Sequence, residues 1–161
     1  MSDLQTLQTQ LHYSFKNAHL LEEALTAAGA SVSRADVDGP ASGNKRLALI
    51  GDAVLRLSVL DEWYPGGGST GAWENRTQKY ATDVAVATGH NMVVDVGTNE
   101  KLAELAKARH LTAWLIENPC QAGQEPKVTL ASTVEAVIGA VWVDCDRNLA
   151  KVQQVIKQLQ G

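Results

Sequence analysis

Cysteine is scarce: Cys120 and Cys145 are the only two in 161 residues, too few for a disulfide framework, and a reducing compartment is expected. Positive charge is not in excess either. Fourteen Lys and Arg against 18 Asp and Glu leave a formal net charge of −4. A small protein built mainly to grip phosphates is usually basic, so any nucleic-acid contact must use a local patch or a surface shared with a second copy. No apolar run reaches membrane-span length without a Gly or a charge interrupting it. The opening MSDLQTLQTQ has neither a basic n-region nor an apolar core, so no export signal is expected and the expected location is intracellular, in the cytoplasm. His12, His19, His90 and His110 lack the paired spacing of zinc ligands, and neither cysteine has the partners of a Cys-His nucleophile. The turn YPGGGSTG follows no strand and leads into no Lys-Ser/Thr, so it is not a phosphate loop.

What is present is helical periodicity. Leu4, Leu7 and Leu11 recur at three and four residues. Further helices are predicted over about 17–28, 45–63, 72–88, 100–116, 129–144 and 147–160. The third should stop at Tyr64-Pro65, because proline pushes its predecessor out of helical geometry. The fourth should end near Gly89. Residues 29–44 and 117–127 read as loops. With 45% hydrophobic and 20% charged residues and no strand alternation, repeat or linker, 1–161 reads as a single all-α domain of about seven helices. Trp63, Trp73, Trp114 and Trp142 read as core or interface fillers.

Two of these helices are apolar nearly all round, which points to the core. LALIGDAVLRLSVL, residues 47–60, carries only Asp52 and Arg56 as charges; VTLASTVEAVIGAVWV, residues 128–143, carries only Glu135. Each contains a glycine, Gly51 and Gly139. A mid-helix glycine costs roughly 1 kcal/mol against alanine, so a packing reason is expected: close approach of the two backbones. That approach would bring Asp52 and Glu135 together. Neighbouring carboxylates repel unless something sits between them. Three readings stay open: structural satisfaction by Arg46, Arg56 or a helix N-terminus; a hydrated divalent cation; or a proton-sharing pair.

Three segments together carry a family resemblance. Residues 44–55, NKRLALIGDAVL, resemble the signature helix of the ribonuclease III family, N-E-R-L-E-F-L-G-D-A-V-L. Residues 132–144, STVEAVIGAVWVD, resemble its second acidic helix, D-T-V-E-A-L-I-G-A-V-Y-L-D. Tyr13-Ser14-Phe15-Lys16-Asn17 with Leu20-Leu21-Glu22-Glu23-Ala24-Leu25-Thr26 resembles its opening helix. Order and spacing agree over about residues 10–145. The segments around Gln78-Lys79-Tyr80 and Asn118-Pro119-Cys120 look most like divergent single-domain members from filamentous fungi.

The resemblance implies an RNase III-like helical endonuclease domain that acts on double-stranded or structured RNA through a two-metal site of four carboxylates. It implies catalytic and metal-binding roles for Asp52 and Glu135, with Mg2+ or Mn2+ as cofactor. Departures lie at the family's other acidic positions: Lys45, Ala48 and Ser132, the last a possible auxiliary oxygen ligand. Half the ligand charge is missing, so one ion is expected rather than two, or none, and cleavage is expected to be weakened or lost. Leu49, Ile50 and Ala53 are implied at a homodimer interface, and Arg76, Gln78 and Lys79 at the RNA groove. About 15 residues follow Asp146, leaving no room for a separate double-stranded-RNA-binding domain, and no membrane partner is expected. The alternatives are a non-catalytic dimeric RNA-binding or assembly module and, on the evidence of the −4 charge, a protein-interaction domain without RNA.

Overall fold

The structure, a computed structural model, describes residues 3–66, 76–121 and 126–161, with side chains for 4–64, 86–120 and 126–161. The order is α1 (Asp3–Gln10), α2 (Ala18–Ala24), α3 (Ala30–Ser33), α4 (Lys45–Gly66), α5 (Arg76–Val96), α6 (Asn99–Ala108), two 3-10 turns (Leu111–Trp114 and Pro119–Gln121), α7 (Lys127–Asp144) and α8 (Leu149–Gln160). Among the described residues there is no strand, only an isolated bridge in which Ala27 N donates to Ile116 O and Ile116 N to Leu25 O. The fold is all-α. Among the described residues the one α-helix beyond the seven expected is the short α3, inside the segment expected to be a loop. Among the described residues no helix is long and apolar enough to cross a membrane.

α7 is the axis of the core. Twelve of its eighteen residues are buried, so it has little polar face to turn outward. α4 and α6 pack against it most extensively, with α2 and α8 completing the enclosure. Leu21, Leu25, Leu102, Leu111, Val152 and Val155 fill the gaps between them. Polar caps fix the helix starts around this core: Thr98 Oγ1 accepts from Lys101 N, and Asn148 Oδ1 from Lys151 N.

α4 differs from α7 in having two distinct faces. Leu47, Ala48, Gly51, Val54, Leu55 and Ser58 recur at helical spacing and are buried. The opposite stripe is apolar yet open to solvent: Leu49 is 77% exposed and Tyr64 62%, with Ile50, Ala53, Leu57 and Leu60 also exposed. The apolar pattern that points to the core is therefore buried on one face only, and Leu49, Ile50 and Ala53 lie on the other.

Several boundaries differ from the sequence expectation. α4 continues through Pro65 to Gly66, since a proline in a final turn removes one hydrogen bond without stopping the helix. α5 passes Gly89 and runs to Val96. Gly89 is a packing position: a Cβ there would come within 2.8 Å of the Trp63 ring. The helix expected over 100–116 ends at Ala108, because His110 adopts left-handed geometry (φ 55°) before the 3-10 turn. α2 stops at Ala24, where the chain turns to pair with Ile116. Trp63, Trp114 and Trp142 are half-buried, the last two packed on the core. Trp73 lies outside the described residues.

The far end of α7 is tied to the segment before α2. Asp144 accepts from the Tyr13 hydroxyl (2.7 Å), Lys16 N (2.9 Å) and Asn17 N (2.9 Å). Burial alone would raise this carboxyl's pKa, but those three donors and the Lys16 charge hold it below the usual range. The Tyr13 and Asp144 of the matching segments are thus fasteners that orient α7.

Candidate functional site

The site is created where α4 crosses α7. A methyl built on Gly51 would overlap the backbone carbonyl of Glu135 and lie 3.0 Å from Gly139 N; one built on Gly139 would overlap the carbonyl of Leu47 and lie 3.1 Å from Gly51 N. Backbone meets backbone, so neither position admits a side chain. This crossing presents Asp52, the neighbour of Gly51, to Glu135, whose own carbonyl is part of the contact.

The two carboxylates sit in different surroundings. Asp52 is one-third exposed and accepts from Arg56 Nε at 2.8 Å, one helical turn onward. Glu135 is half-buried, and among the described residues its carboxylate has no hydrogen bond. Burial is the main cause that pushes its pKa up to about 7, and the Asp52 charge adds to the rise; Lys45 and Arg56 pull the other way. The carboxyl is therefore divided between its protonated and ionised forms near neutral pH.

The positions that depart from the acidic pattern form a contact of their own. Lys45 opens α4 and donates from Nζ to Ser132 Oγ on α7 at 2.8 Å. Ser132 is buried, and Ala48, 4% exposed, offers no donor or acceptor side chain. Sequence reading marked Lys45 and Ser132 as separate departures; their pairing across two helices could have been suspected only by placing both on the same crossing. Arg56 was one of the candidate partners for the acids and engages Asp52. Arg46 is exposed and has no ion pair among the described residues.

Leu49, Ile50 and Ala53 lie on the outer stripe of α4, away from the crossing. Arg76, Gln78 and Lys79 open α5, but their side chains lie outside the described residues. Asp61 accepts from Gln153 and Glu62 pairs with Lys157, so both are engaged with α8.

As a metal site the donor set is poor. Mg2+ and Mn2+ want several hard oxygen ligands and the full charge of their carboxylates. Here one carboxylate is shared with a guanidinium, the Ser132 oxygen accepts from an ammonium, and position 48 has no side-chain oxygen. Among the described residues no group of three or more His, Cys, Asp or Glu is placed to hold a metal ion. These residues do not fit a two-ion cradle.

Comparisons with known proteins agree on one relationship. Residues 45–146 match the family model of the Ribonuclease III domain. Ribonuclease 3 of Bdellovibrio bacteriovorus is 31% identical over 150 residues, covering 91% of this chain and 56% of the relative. Ribonuclease 3 of Helicobacter pylori is 30% identical over 161 residues, covering 98% and 57%. The chain thus spans little more than half the length of these relatives. Among solved structures, the nuclease domain of ribonuclease III from Campylobacter jejuni superposes with a TM-score of 0.67 at 21% identity, covering 99% of this chain and 94% of that one. A second structure of that domain, described for structural flexibility in a region involved in dimer formation, gives 0.66 at 21%, covering 98% and 95%.

Proposed function

Since the chain belongs to the ribonuclease III domain family, we propose that it recognises double-stranded or structured RNA and that metal-dependent cleavage is strongly weakened or lost. The observation that carries this reading is the occupation of the acidic site by basic side chains, Lys45 on Ser132 and Arg56 on Asp52. Phosphodiester hydrolysis needs an activated water and a stabilised leaving oxygen, which divalent ions supply when bound. Asp52 and Glu135 are the residues that would carry any remaining chemistry. A single Mg2+ or Mn2+ there would have to share Asp52 with Arg56, and a second ion would lack ligands.

The test is long duplex RNA in Mg2+ or Mn2+, beside Asp52→Asn and Glu135→Gln. The expected result is a salt-sensitive mobility shift with little or no cleavage. Efficient cleavage that both substitutions abolish would make the protein an active nuclease and overturn the weakened-site reading. Neither binding nor cleavage would favour a protein-interaction domain.

A homodimer through the outer stripe of α4 forms part of the proposal. Six apolar side chains in one exposed helical row are a typical contact surface, and the Campylobacter nuclease domain is described with a region involved in dimer formation. Leu49, the most exposed large side chain of the row, should be central. Leu49→Asp is expected to convert a dimer into a folded monomer in sedimentation analysis; a wild-type chain that sediments as a monomer would contradict this arrangement.

A further inference from the structure

The Lys45 contact has a consequence for what the site can hold. In formal charge, the Asp52 and Glu135 carboxylates are matched by one ammonium and one guanidinium. A divalent cation entering there meets two fixed positive charges, and two of the oxygens it would need, Asp52 Oδ1 and Ser132 Oγ, already accept from them. An oxyanion meets the reverse. The Lys45 ammonium has three N–H donors, of which Ser132 takes one, and among the described residues it has no other hydrogen bond or ion pair. Ser132 accepts in that contact, which leaves its own O–H to donate. Arg56 uses Nε on Asp52, and its Nη groups have no hydrogen-bond partner among the described residues. Lys45 is half-buried and retains access to solvent.

We propose that Lys45 and Ser132 form a phosphodiester-binding site, with Arg56 about three turns farther along α4 as a flanking positive charge, in which the Lys45 ammonium takes the place of a divalent ion, so that contact with the RNA backbone here is independent of metal. Asp52 steadies the Arg56 guanidinium, and the Ser132 hydroxyl fixes the lysine head over α7. The proposal rests on the RNA reading above, but its first test needs no RNA.

That test is Mn2+ binding to the free protein, followed by electron paramagnetic resonance. Removing the Lys45 charge should strengthen the pull of the Asp52 and Glu135 carboxylates on a cation, so Lys45→Ala is expected to bind Mn2+ at least roughly tenfold more tightly than wild type. Equal affinities would overturn the proposal. The second measurement is binding of a short RNA duplex in EDTA across a salt series. Lys45→Gln should weaken binding several-fold and lower the slope of log affinity against log salt by about 1, Lys45→Arg should restore both, and wild-type affinity should be the same in EDTA and in Mg2+ at matched ionic strength. A wild-type slope in folded Lys45→Gln, or wild-type binding that requires Mg2+, would refute the site. Failure of the wild type to bind duplex at any salt would instead sink the RNA reading, with the Mn2+ comparison still deciding whether Lys45 replaces the ion.

Discussion

Gly51→Ala is expected to destabilise the domain by about 3 kcal/mol or more, a large share of the roughly 5–15 kcal/mol that holds a typical domain together. Alanine would gain up to about 1 kcal/mol in helix propensity, so the sign depends on the crossing. Its methyl would overlap the Glu135 carbonyl, which is backbone inside the most buried helix of the fold. A side chain could rotate away, but a helix backbone moves only as a unit. α4 would have to lift from α7, opening gaps beside Leu47, Val54, Leu55 and Val134. Overpacking of ordinary core sites costs about 1–3 kcal/mol, and backbone overlap belongs at or above the top of that range. At roughly 2–4 °C per kcal/mol for a chain near this size, the melting temperature should fall by about 6 °C or more. A Gly51→Ala protein as stable as wild type would mean that the helices do not cross this closely.

The second large effect is a pH-dependent gain in stability from Glu135→Gln. The Glu135 carboxyl has a folded-state pKa of about 7, raised first by burial and then by Asp52, against an ordinary value of 4.5. For an acid shifted upward, the native state holds the proton more tightly than the unfolded chain. The cost of ionising it is absent below pH 4.5, grows as pH rises through the interval, and is fully present above about 7. At about 1.4 kcal/mol per pKa unit the full shift would be worth roughly 3.5 kcal/mol, and solvent screening of a half-exposed carboxyl reduces the cost at pH 8 to on the order of 1–2 kcal/mol. Glutamine should remove it, so the variant should be more stable than wild type at pH 8 and close to it at pH 4. Carboxyls lowered in the folded state, such as Asp144, lose their contribution as pH falls and act with the opposite sign, in both proteins alike. Denaturant unfolding of the two proteins at both pH values measures the difference. Equal stability at pH 8 would show that Glu135 is not desolvated beside a like charge. The sign also bears on function: a carboxylate that weakens the fold is not an anchor for helix packing.

Much of this site is legible in the residues themselves. Two glycines in two otherwise apolar helices point to a backbone crossing, and one acid beside each crossing point puts Asp52 and Glu135 together. The all-α class follows from spacing repeated along the chain. Less legible is what tertiary contact decides. The pattern of α4 is apolar on both sides and cannot say which side faces the core; the Gly51 crossing does. The break after Ala108 depends on His110 adopting a left-handed conformation that sequence reading assigns first to glycine. Gly89 reads as a helix end but serves as a seat for Trp63. Lys45 and Ser132, 87 residues apart, meet only because the helices cross as they do.

The most direct measurement is the pKa of Glu135, followed through its side-chain carboxyl carbon by NMR in wild type and in Asp52→Asn. The expected result is a wild-type value near 7 that falls toward the ordinary range when the Asp52 charge is removed. A wild-type value near 4.5, unchanged by Asp52→Asn, would mean that the two carboxylates do not share a site.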